Sequence, residues 1–118
     1  MPSLPVLTLT QAWCVLSLAI VAEVAGTTSM RLSEGFTRLT PSIMIFFCYA
    51  ISFSLNTIVI RTLGISVVYA VWSGVGTVLT AAIGFLWFKE PFSTGKTLSI
   101  ALIVVGVIGL HISSKQAQ

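Results

Sequence analysis

Glu23 is the residue from which any chemistry must start. It stands in an apolar run from about Ala12 to Leu32, and on a helix it would lie roughly 16 Å from either end of that run. A carboxyl at such depth in a membrane is costly. It marks an ion, proton or substrate path, unless it is a structural group hydrogen-bonded between helices. No basic residue lies inside any other apolar run to pair with it. A carboxyl taken out of water holds its proton more tightly, and once ionised it favours a cation that replaces its lost hydration. Glu34 and Glu90 flank the ends of apolar runs, where carboxylates stay solvated.

Other residue types with chemical potential fall at helical spacing. Ala19, Ile20, Gly26, Thr27 and Met30 lie on or beside the face of Glu23, at offsets near three, four and seven. Small residues there leave room either for a ligand or for a close helix contact. A second run places Tyr49, Phe53 and Asn56 on one stripe, with Ser52 beside it; an asparagine in hydrocarbon needs a partner, so Asn56 should face protein or a cavity. A third run places Tyr69, Trp72, Ser73 and Gly76 on one stripe. Such rings serve either as interfacial anchors or as a wall that attracts a cation through the ring faces. Gly74 and Gly76 permit bending or close packing in mid-helix. Ser99, Gly106 and Gly109 form a small-residue ridge on the last run, and His111, Trp13 and Trp87 fall near run ends, where interfacial residues belong. Cys14 and Cys48 lie within apolar segments and read as small buried apolar residues.

The elements that must position these groups follow from composition. Of 118 residues, 56% are hydrophobic and only 8% charged, too few to cover the surface of a small soluble domain. The net charge of +3 comes from cations spread singly, which excludes a nucleic-acid patch. No metal-ligand spacing or cofactor motif is present. The chain reads as an all-α membrane protein of one domain over residues 1–118, with four spanning helices at about 12–32, 42–61, 67–88 and 96–113. Ser33-Glu34-Gly35 should end the first helix, with Gly35 in the left-handed cap conformation. Pro41 suits the first turn of the second helix, Thr62-Leu63-Gly64 forms a very short link, and Glu90-Pro91-Phe92-Ser93 separates the last two helices. The N-terminus lacks the cationic region of a signal peptide, so the first segment is expected to be a retained helix.

Four crossings put both termini on one side. Arg31, Arg38, Lys89 and Lys96 then face Arg61, Lys115 and the N-terminal amine across the bilayer, a weak bias that permits insertion in either orientation. Larger transporters obtain two-sided access from inverted repeats. The halves of this chain show no repeat, and a dimer of oppositely inserted copies would supply the missing symmetry.

Ala22-Glu23-Val24-Ala25-Gly26-Thr27-Thr28, followed by Ser33-Glu34-Gly35-Phe36-Thr37-Arg38-Leu39, resembles the opening hairpin of the small multidrug resistance family, nearest its EmrE-like quaternary-ammonium branch. Tyr69-Ala70-Val71-Trp72-Ser73-Gly74-Val75-Gly76 is similar to the family's third-helix signature. The resemblance implies a dual-topology antiparallel homodimer in the bacterial inner membrane that exchanges protons for toxic cations. It further implies Glu23 as shared proton and substrate carboxylate, Tyr69 and Trp72 as binding aromatics, and Ala19, Ile20, Gly26 and Thr27 as lining residues. Tyr49 matches the second-helix tyrosine, Gly74 and Gly76 the third-helix kink, and Gly106 the dimer contact on the fourth helix. Gly26 stands where guanidinium exporters of the family carry tryptophan, which favours lipophilic and quaternary-ammonium cations. Ser54, Asn56 and Gly64 depart from the EmrE-like pattern, and the more polar second helix would suit smaller or more polar cations, choline- or betaine-like, or a paired heterodimer. The expectation is a proton-coupled exporter of lipophilic or quaternary-ammonium cations without a cofactor. The alternatives are a narrow exporter of guanidinium or small osmolyte cations, and a helical subunit of a larger complex that transports nothing.

Overall fold

The computed structural model describes residues 7–117, with side chains through residue 113. Its four helices are α1 (Leu9–Leu32), α2 (Leu39–Leu63), α3 (Ile65–Leu86) and α4 (Thr94–Ala117). All four are long and apolar enough to cross a membrane. Apolar residues run around each helix rather than along one stripe, as lipid-facing spans require; Leu18, Val21, Phe46, Phe47 and Leu102 are all exposed.

Helix ends follow local chemistry. α1 begins before the expected Ala12 because Thr8 and Gln11 form a capping box, each side chain bonding the other residue's backbone amide. Ser33, not Gly35, is its C-cap, and the left-handed turn is shared by Glu34, Gly35 and Phe36, with φ of 49°, 72° and 67°. Pro41 sits in the first turn of α2 as expected, where its missing N–H costs nothing. Thr62 and Leu63 remain helical, so the α2–α3 link is Gly64 alone, at φ 87° and ψ 154°. Only glycine occupies that region readily. α3 ends at Leu86, two residues early, and Ser93 caps α4 by accepting the Lys96 amide at 3.1 Å.

Packing is led by an every-fourth-residue ridge on α1, Ala12, Leu16, Ile20 and Val24, set against Val59 of α2 and Val68 of α3. α1 and α2 run antiparallel, joined by the Ser52 hydroxyl donating to the Ala19 carbonyl at 2.7 Å within a fully buried contact. Many other helical hydroxyls are satisfied within their own helix: Ser17, Thr28, Ser29, Thr57 and Ser99 donate to the carbonyl four residues back. Bilayer interiors demand such internal partners.

α4 is attached differently. Its span contains no buried residue. It lies against α3, where Gly74 admits Val107: a Cβ at that glycine would fall 2.8 Å from Val107 Cγ2. α3 runs unbroken from Ile65 to Leu86, so Gly74 serves close packing here rather than a break in the helix. Trp13 and His111 meet edge to face at 5.5 Å, tying the far end of α4 to the start of α1. Gly106 and Gly109 face open space. The described chain is a slab measuring 44 × 38 × 18 Å. Cys48 is buried, as its setting suggested, but Cys14 is exposed on the lipid-facing side, and both are free thiols.

Candidate functional site

Glu23 is half-buried at the middle of α1 and borders a cavity of about 510 Å³. α2 contributes Tyr49, Phe53, Asn56 and Ile60 to the same cavity, and α3 contributes Ile65, Val68, Tyr69, Trp72 and Ser73. The stripes expected on the two helices therefore converge on the carboxyl. Phe53 links the rings: it lies 5.5 Å from Tyr49 and 6.4 Å from Trp72, centroid to centroid. Tyr69 stands at the rim, 75% exposed.

The carboxyl is held by hydroxyls. Tyr49 and Thr27 hydroxyl oxygens are 2.9 Å apart, and the Thr27 hydroxyl lies 3.3 Å from Glu23 Oε1 and 3.1 Å from the Glu23 carbonyl. Thr27 has one proton to give. When it donates to the carboxylate, Tyr49 donates to Thr27, making a two-hydroxyl chain that strengthens as the carboxyl ionises. When the carboxyl is protonated, the Thr27 proton turns to the Glu23 backbone carbonyl. Glu23 Oε2 faces α3 beside Gly76, where an added Cβ would stand 4.0 Å from it and 3.8 Å from Trp72 Cδ1. Among the described residues no cation sits beside Glu23.

Not every residue beside Glu23 in the helical pattern reaches the cavity. Ala19 and Ile20 are buried in the α1 packing face, Ala19 at the Ser52 bond and Ile20 in the apolar ridge. Gly26 lies beneath the Tyr49 ring, which comes close enough that a Cβ would meet Cε2 at 2.8 Å. These three serve the α1–α2 contact because offsets of three and four reach to both sides of the glutamate's face, and here one side is occupied by α2. Met30 offers its sulfur to the Tyr49 hydroxyl at 4.0 Å.

A second, smaller cavity of about 340 Å³ shares Glu23, Trp72 and Ser73 and is completed by Thr27, Gly76, Thr77 and Thr80. Beyond it, Thr27, Thr77 and Thr80 also line a cleft that reaches Arg31, Glu90 and Lys96 at the membrane end of the bundle. Glu23 thus stands between an aromatic lobe and a hydroxyl-lined one. Thr77 and Thr80 carried no signal in the sequence beyond their polarity, since each hydroxyl donates within its own helix, to the Ser73 and Gly76 carbonyls. Their spacing from Ser73 and Gly76, four residues on, is the pattern that places them on the same face.

Four apolar spans, three of them lining cavities around a mid-span carboxyl with rings on one side and hydroxyls on the other, define a small multi-pass membrane protein with a ligand-sized interior. Residues 11–103 match the family model described as Small Multidrug Resistance protein, and the chain belongs to that family. It is 49% identical over 100 residues to the uncharacterized membrane protein YvaE of Bacillus subtilis strain 168, spanning 85% of this chain and 84% of that one. It is 38% identical over 105 residues to the quaternary ammonium compound-resistance protein QacE of Escherichia coli, spanning 89% and 96%. A guanidinium exporter of Citrobacter freundii is 40% identical over 103 residues, spanning 87% and 98%. The family is one of multidrug efflux transporters, and this member is a multi-pass bacterial membrane protein.

Proposed function

We propose that the protein exports lipophilic and quaternary-ammonium cations in exchange for protons, with Glu23 as the site that both share. The observation that carries this reading is a mid-span carboxyl without a counter-cation among the described residues, opening on a cavity walled by Tyr49, Phe53 and Trp72. Each ring face adds roughly 0.5–2 kcal/mol toward a desolvated cation. The carboxylate supplies the charge, and its Thr27–Tyr49 chain stabilises the ionised form that a cation needs. Thr77 and Thr80 line the side from which protons and water would reach it. A packing subunit has no use for this arrangement.

The working unit is an antiparallel homodimer. A slab 18 Å thick, with one helix that has no buried residue in its span, supports a partner copy in the membrane. The near-balanced charges of the two membrane ends permit that copy to insert the other way up. Two Glu23 carboxyls then face one chamber.

Proton and cation compete for the same oxygens. Affinity for tetraphenylphosphonium should therefore fall as protons compete at lower pH, by up to about tenfold per pH unit for each proton displaced. Binding at fixed pH should release protons into a weak buffer. Glu23→Gln should abolish both the release and coupled transport in liposomes. Affinity that is flat from pH 5 to 9, with no proton released, defeats the shared-site mechanism.

A further inference from the structure

Among the described residues one buried side-chain polar atom has no hydrogen-bond partner, Asn56 Oδ1. The neighbouring hydroxyls on its own helix are engaged elsewhere: Ser52 by the Ala19 carbonyl, Thr57 by the Phe53 carbonyl, Tyr49 by Thr27. An unmet acceptor in the membrane interior is costly, and such groups call for an explanation. Asn56 also lines the cavity that holds Glu23. Its terminal torsion is soft and roughly two-fold. A turn about that bond exchanges the positions of the amide oxygen and nitrogen without moving the helix.

The antiparallel register locates the amide relative to the carboxyl. Asn56 lies one turn beyond Ser52, and Glu23 lies one turn beyond Ala19 in the opposite direction, with Ser52 and Ala19 at the same level. The two Cα atoms are thus about 12 Å apart along the bundle. Both side chains lean toward their own helix N-terminus, hence toward each other. Phe53 and Trp72, tilted rings 6.4 Å apart, line the same cavity. One nitrogen cannot reach both polar groups, whereas a cation with a polar group several bonds from its charge can.

We propose that Asn56 is a specificity-determining residue that selects cations carrying a hydroxyl or N–H donor several bonds from the charged nitrogen. The charged head pairs with Glu23, the connecting carbons lie on the Phe53 and Trp72 rings, and the donor satisfies Asn56 Oδ1. The assignment rests on the proposed cation site at Glu23.

The test compares trimethylammonium cations bearing a terminal hydroxyl, from choline to its six-carbon homologue, with isosteres ending in methyl. Dissociation constants are measured by calorimetry in detergent for the wild-type protein and for Asn56→Leu. The wild-type preference for hydroxyl over methyl should peak at one chain length, and Asn56→Leu should remove the peak by roughly tenfold or more. Asn56→Gln keeps the amide one carbon further out and should move the peak to a shorter chain. Tetraphenylphosphonium has no donor and reports on Glu23 by itself. Its failure to bind the wild-type protein overturns the reading of Glu23, and this one with it. If it binds and the hydroxyl preference is the same at every length in all three proteins, the Asn56 assignment alone is overturned, and the amide serves a contact between subunits.

Discussion

Replacing Gly26 with alanine tests how α1 and α2 hold the site. The added Cβ would lie 2.8 and 2.9 Å from Tyr49 Cε2 and Cδ2, and 3.3 Å from Cys48 Cβ. Carbon atoms attract best near 3.5–4.0 Å, so the ring must retreat by about 1 Å or the helices must separate. Overpacking of this kind costs about 1–3 kcal/mol. Retreat of the ring also strains the 2.9 Å Tyr49–Thr27 bond, worth about 0.5–1.5 kcal/mol. Alanine returns up to about 1 kcal/mol in helix propensity. The net expectation is a loss of about 1–3 kcal/mol, followed by circular dichroism during reversible unfolding in detergent. The decisive comparison is a double-mutant cycle. In a Tyr49→Ala background the obstructing ring is gone, and Gly26→Ala should become neutral or stabilising, a coupling of about 2 kcal/mol. Equal effects in the two backgrounds would refute the claim that Gly26 exists to admit Tyr49.

Gly64→Ala should destabilise the protein by about 1–3 kcal/mol or prevent its accumulation in membranes, because a Cβ is poorly tolerated at φ 87° and ψ 154°; unchanged unfolding would show that the α2–α3 link does not need this conformation. Trp72→Ala should weaken binding of bulky aromatic cations more than that of tetramethylammonium, since it removes both packing area and a ring face; titrations showing equal losses would assign Trp72 to the fold. Reporters fused to the C-terminus should be found on both sides of the membrane, and added lysines near Gln118 should fix that end inside and silence the protein unless an oppositely biased copy is co-expressed.

The helices were legible because apolar runs of bilayer length are separated by residues that cannot continue them. What escaped were boundaries decided by single atoms. The Thr8–Gln11 capping box lengthens α1 past Ala12, and Thr62 and Leu63 stay helical because Gly64 alone makes the turn. The cavity was legible where each helix offered a polar or aromatic stripe, since Tyr49, Phe53, Asn56, Tyr69, Trp72 and Ser73 all line it with Glu23. Ala19, Ile20 and Gly26 were not separable from it by spacing, which reports the distance from Glu23 around one helix but not which side the neighbouring helix takes. Gly74 offers the same lesson. A mid-helix glycine is compatible with a bend or a close approach, and the Val107 contact shows the close approach. The unmet oxygen of Asn56 was legible only as a residue needing a partner.

The single-residue link has a consequence for how the chain is counted into the membrane. α2 and α3 hold 25 and 22 residues of apolar sequence with one glycine between them. As one continuous helix they would extend about 70 Å, more than twice the hydrocarbon thickness of a bilayer. The positive φ at Gly64 folds that length back on itself, so this one backbone angle sets the number of crossings to four and not three. It therefore fixes the parity of the chain, which is to say whether its two ends finish on the same side. In the sequence on either side of that bend, Arg61 is the nearest charged residue. The insertion machinery thus receives a hairpin of strict geometry and almost no electrical instruction about which way to face.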